Sequence, residues 1–152
     1  MKMYKREFEL FKDGDMWLAM PLGMLGGTEG HNHEEAIEMA CDWLRMMAEH
    51  AEIRGIELSE QKPGLPLEHG GERLIVCVQT GRELIDTVSA SEAANMLGIS
   101  RARVSVLVKN LKLEGWHDGR NVRVTRESVL ARLRGPKAVG GRPKKAAYAA
   151  AH

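Results

Sequence analysis

Arg101, Arg103, Ser105 and Lys109 fall within one short stretch, RARVSVLVK, directly behind Gly98-Ile99-Ser100. Arginine can make paired hydrogen bonds to guanine O6 and N7, the commonest base-specific contact in the DNA major groove. Lysine supplies a point charge for a phosphate, which positions a protein without specifying sequence. At helical spacing Arg101, Arg103 and Ser105 lie in the first turns, off a Val104/Leu107/Leu111 face, and Lys109 follows one turn beyond Ser105. Ser100 joins them at the helix start, where its hydroxyl can also cap the helix. Arg120 and Arg123 follow at and beyond an Asp118-Gly119 turn, within reach of the DNA backbone or minor groove. Alternation sets Arg123 on the opposite face from Val122 and Val124. Arg142, Lys144 and Lys145 form a last basic run, which adds salt-sensitive affinity whatever the base sequence.

The elements that must position these side chains are legible around them. Ser89 and Glu92 are spaced as a capping box, opening a helix with Ala93, Ala94, Met96 and Leu97 inward. Gly98-Ile99-Ser100 is a turn, and the next helix packs through Val104, Leu107, Val108 and Leu111. Trp116 and Val122 flank the hairpin at Asp118-Gly119. Thr125 can cap a last helix packed through Val129, Leu130 and Leu133. From Gly135 onward the chain is rich in Gly, Pro, Lys and Ala, a composition expected to stay disordered.

The preceding half has a different pattern. Tyr4 to Phe11 alternates, with Tyr4, Arg6, Phe8 and Leu10 on one parity and Lys5, Glu7, Glu9 and Phe11 on the other. Asp13-Gly14-Asp15 turns it into a second strand, Met16 to Met20, and the glycines from Gly23 to Gly30 mark irregular backbone or a third short strand. Asn32 and Glu35 then cap a long helix with a stripe of Ile37, Ala40, Cys41, Leu44, Ala48 and Ala51. A flanking stripe, Met39, Trp43, Met46 and Met47, is either a wider core face or a dimer or partner surface. Residues 57–71 hold two prolines and several glycines, as in a surface connection. Leu74 to Val78 is a continuous apolar run, as in an interior strand, and Thr80 to Val88 links the halves. Cys41 and Cys77 lie among apolar neighbours and are expected to be small buried residues.

A net charge of +1 over 152 residues averages two opposite halves. Residues 1–87 hold nine Lys and Arg against seventeen Asp and Glu, a net −8; residues 88–152 hold thirteen against four, a net +9. The basic half suits phosphate and the acidic half is repelled by it. His31, His33, Glu34 and Glu35 cluster at a helix start, where capping already accounts for the acids and no metal-ligand spacing exists. No nucleophile or histidine constellation accompanies the carboxylates, so neither an enzyme nor a cofactor is expected. No apolar run is long enough to span a bilayer, and residues 1–15 lack a signal-type apolar stretch. A cytoplasmic protein is expected.

Three resemblances follow from these motifs. The hairpin around DGDMWLAMP, Gly30, NHEEAIEMA and ERLIVCV resemble the HicB family of type II antitoxins over about residues 3–80. Where that family has an Asp-Leu-Pro-Gly run, this chain has Pro21-Leu22-Gly23-Met24. The resemblance implies a truncated ribonuclease H-like fold without nuclease activity. SASEAANMLGIS, RVSVLVKN, residues 115–121 and TRESVLARL resemble excisionase-like and MerR-like winged helix-turn-helix modules. Gly141 to Lys145 is similar to the core of an AT-hook without its first arginine. Together they imply an α+β protein in three parts: a HicB-like domain (1–87) with a small antiparallel sheet and one long helix, a winged helix-turn-helix (88–135) and a basic tail (136–152). The implied partners are double-stranded operator DNA and a small basic HicA-like, RNA-cleaving toxin, with a homodimer or higher assembly. The alternative is a stand-alone regulator or phage-type excisionase whose first domain only dimerises.

Overall fold

A computed structural model describes residues 1–135; the tail, with Arg142, Lys144 and Lys145, lies outside the described residues. The fold is α+β, in two compact units that divide between Ile85 and Asp86.

In the first unit, strands β1 (Lys2–Asp13), β2 (Met16–Pro21), β3 (Thr28–Gly30) and β4 (Glu72–Thr80) form an antiparallel sheet in the order β3-β2-β1-β4. Helix α1 (His33–Arg54) covers one face. Its Ala36, Ala40, Leu44 and Ala48 meet Tyr4, Phe8, Leu10, Ala19, Val76 and Val78 from the strands. Three alanines on this face bring the helix axis close to the sheet. Asn32 Oδ1 accepts the Glu35 N–H at 2.8 Å, and the Glu35 carboxylate reaches back to the His31 N–H at 3.2 Å. Gly30 permits the tight entry, because a Cβ there would lie 2.5 Å from the Ala36 nitrogen.

Three expectations for this half are corrected. β4 is an edge strand, not an interior one. Val76 and Val78 are buried in the core and Leu74 packs against it, while Ile75 is 52% exposed and Cys77 is exposed, with Cys41 half-buried. An apolar run gives no information on strand order, and α1 covers one face of this strand only. Second, residues 57–71 are not merely a surface connection. Glu7 and Glu9 on the far face of β1 are buried, and groups from this loop hydrogen-bond to both. Third, Thr80 to Val88 is not a plain linker: Thr80 ends β4, Arg82–Leu84 is a 3-10 turn, and β5 (Thr87–Ser89) belongs to the second sheet.

In the second unit β5 is followed by α2 (Ala90–Leu97), α3 (Arg101–Lys109), β6 (Gly115–Asp118), β7 (Asn121–Thr125) and α4 (Arg126–Arg134). The antiparallel sheet runs β5-β7-β6. Ser89, Ser100 and Thr125 each cap the following helix by accepting a backbone N–H three residues on. Gly98 ends α2 at φ +67, a left-handed conformation that a side chain would strain. The core joins Val88, Ala93, Val104, Leu107, Val124 and Val129.

Leu111 is 62% exposed rather than a core position. α3 ends at Lys109, Leu111 takes φ +59 to reverse the chain, and Leu113 is buried instead. Leu130 and Leu133 are also exposed, so Val129 is the buried side chain of α4. Among the described residues no helix is long and apolar enough to cross a membrane.

Candidate nucleic-acid interface and partner surface

α3 turns Val104, Leu107 and Val108 inward. At 3.6 residues per turn the opposite ridge is therefore Ala102, Val106 and Lys109. Arg101 and Ser105 flank it on one side and Arg103 on the other. Arg101, Ala102, Arg103 and Lys109 are exposed and Ser105 is half-buried. Val106, 42% exposed, was absent from the sequence reading. A helical wheel centred on the buried valines would have found it. Ser100 is occupied as the cap, accepting the Arg103 N–H at 3.1 Å. Among the described residues no ion pair engages Arg101, Arg103 or Lys109.

The β6–β7 hairpin pairs Asp118 with Asn121 and leaves Arg120 exposed at its tip. Arg123 is half-buried: its Nε and Nη2 donate to Thr87 Oγ1 at 3.1 and 2.9 Å, across to β5. The two arginines read separately in the sequence, Arg101 and Arg123, line a single cavity of about 380 Å³ with Ser89, Ser91, Asp118 and Asn121. Arg103 and Lys109 do not line it.

On α1 the stripe of Met39, Trp43 and Met46 divides. Trp43 is half-buried, packs edge-on against Phe8 at 5.6 Å between ring centres, and closes against Gly26. It belongs to the core margin. Met39 and Met46 are exposed, Met46 by 61%. Helical spacing alternates them with carboxylates along one ridge, Glu35, Met39, Asp42 and Met46. The result is a flexible apolar strip bordered by negative charge.

The most perturbed carboxylate is structural. Burial alone would raise the Glu9 pKa, but N–H donation from Gly71, Glu68 and His69, with the His69 ring, holds it down at about 2. Those contacts run from 2.8 to 3.0 Å, and the His69 ring stacks on Phe11. Glu7 receives Arg73 Nη1 at 2.9 Å and the Gly64 N–H at 3.2 Å. Both carboxylates have their acceptor sites filled by the chain itself, which suits anchoring the loop rather than chemistry on a ligand. His33, from the cluster at the start of α1, pairs with Glu72 at 3.1 Å. Among the described residues no group of three His, Cys, Asp or Glu is placed to hold a metal ion.

No family model matches the chain, and no curated protein or solved structure does.

Proposed function

We propose that the protein is an antitoxin that represses its own operon. In this reading the second unit is a winged helix-turn-helix on operator DNA, and the first is a HicB-like domain that neutralises a small, basic, RNA-cleaving toxin. The observation that carries the DNA half is α3 itself. This capped helix is fixed by three buried side chains and presents Arg101, Arg103 and Lys109 outward without an ion pair among the described residues. Of these, Arg103 is the side chain assigned to base edges, while Lys109 and Arg120 reach phosphates. The β6–β7 hairpin stands as the wing.

The toxin half is supported by charge and by α1. A net −8 steers a basic partner toward residues 1–87. The Met39–Met46 ridge supplies adaptable apolar contact between carboxylates that can pair with its lysines and arginines. HicB-like binding of this kind covers the toxin's RNA-binding face and needs no chemistry from the antitoxin.

Co-expression with the neighbouring reading frame tests the reading. Growth rescue and co-purification of a toxic, basic product are expected. A non-toxic neighbour with no complex, together with specific operator binding, would leave a plain regulator whose first unit dimerises. Arg103→Ala is expected to cost about 1–3 kcal/mol of operator discrimination; unchanged discrimination would move recognition away from α3.

A further inference from the structure

Arg101 starts α3 and Arg123 lies in β7, yet both face the same cavity of about 380 Å³. Arg123 is half-buried, and burial removes hydration that a charged group must recover elsewhere. A hydroxyl, Thr87 Oγ1, accepts from Nε and Nη2 and fixes the plane of the guanidinium. Among the described residues Nη1 donates to no group, and neither arginine has a carboxylate within ion-pair distance. Two like charges on one cavity repel, and Asp118, which also lines it, offsets only one of them. Ser91, in the first turn of α2, also borders the space, where backbone N–H groups have no helical acceptor.

Resting on the DNA reading above, we infer that this cavity seats one phosphodiester of the bound strand, gripped jointly by Arg101 and Arg123. The fork of a guanidinium matches phosphate oxygens in pairs. Arg101 then anchors the backbone and sets the register of α3, and base reading falls to Arg103 and the Ala102–Val106 ridge. Asp118 borders the same cavity, and its carboxylate opposes the anion. It weakens the grip on that phosphate whatever the base sequence. A free phosphate or nucleotide offers the same chemistry, and the test separates the two sources.

The full-length chain is titrated against a mixed-sequence duplex across a salt series, followed by fluorescence anisotropy. Arg101→Gln and Arg123→Gln are each expected to weaken binding about 10-fold at low salt and to lower the log–log salt slope by about 1. The double variant is expected to lose little more than either single variant, because both remove the same contact. Additive losses, with the slope reduced by about 2, would mean separate phosphates and overturn the seat while leaving DNA binding intact. An unchanged slope in either single variant overturns it equally. Asp118→Asn, in an exposed hairpin position, keeps the test open if Arg123→Gln fails to fold. It is expected to tighten binding by about threefold, and unchanged or weaker binding counts against the seat. If the wild type ignores duplex even at low salt, the DNA reading fails and this inference with it. If inorganic phosphate then shifts the Ser91 and Arg123 amide resonances, the cavity serves free anions instead.

Discussion

Glu9 ties the stability of the first unit to pH. Its side chain is buried on the far face of β1, and its pKa is held at about 2 against an ordinary 4.5. A carboxyl so displaced carries at most about 3 kcal/mol of folding free energy. Only one loop separates it from water, so screening reduces this to about 2 kcal/mol. The folded value is depressed, so the stabilisation is fully present above the unfolded pKa of 4.5 and is lost as pH falls toward about 2.

Glu9→Gln keeps the shape, removes the charge and turns an amide N–H₂ toward N–H donors from residues 68, 69 and 71. The expected loss at pH 7 is about 2 kcal/mol, with wild type and variant converging between pH 5 and pH 2. Urea unfolding in a Trp116→Phe background isolates Trp17 and Trp43, which pack against the first unit's core. Stability curves that stay parallel from pH 7 to pH 2, or a variant as stable as the wild type at neutral pH, would refute this account of Glu9.

Gln61→Ala removes an amide that accepts the Glu7 N–H at 2.7 Å and donates to the Glu7 and Leu22 carbonyls at 2.8 Å each. A loss of about 1–3 kcal/mol is expected in the same urea assay. Val106→Ala is expected to lose about 1 kcal/mol of preference for thymine over uracil at an operator position facing the α3 ridge, measured with deoxyuridine-substituted duplexes. Met46→Glu, at an exposed position on α1, is expected to abolish co-purification of the basic partner while leaving the melting temperature within a few degrees of wild type.

What the sequence disclosed and what it hid divide by range. Each of the four capped helix starts, at Asn32, Ser89, Ser100 and Thr125, depends on a residue three positions on, so short spacing revealed them. Glu7 and Glu9 share a parity with Lys5 and Phe11 in an alternating strand, and nothing in that alternation marks them for burial. Their burial depends on Gly64, Glu68, His69 and Gly71, more than fifty residues away, and no local pattern encodes that cover. The misplaced Cys77 follows from the same limit, because which face of a strand is covered depends on α1, a distant segment. Leu111 continued the apolar spacing of α3 past the point where the helix stops, and only the left-handed turn shows that Leu113 takes the buried place. At the candidate interface, the cationic residues can be named one by one from the sequence. That Arg101 and Arg123 share a cavity was not, because it depends on how β7 pairs with β5.

Charge alone cannot separate the two proposed interactions, since salt weakens both. Their apolar content can. A phosphate-dominated contact loses affinity steeply as salt rises, by the number of phosphates it neutralises. A partner held on the Met39–Met46 ridge also buries apolar surface, which salt does not screen. The carboxylates of Glu7 and Glu9 are already committed to the chain's own loop and to Arg73, so the field that draws a basic partner comes from exposed acids such as Glu34 and Glu38. Raising salt should therefore strip nucleic acid from residues 88–152 while a protein partner stays on residues 1–87. A complex that lost both together would mean that the α1 ridge contributes nothing and that the partner is held by charge alone.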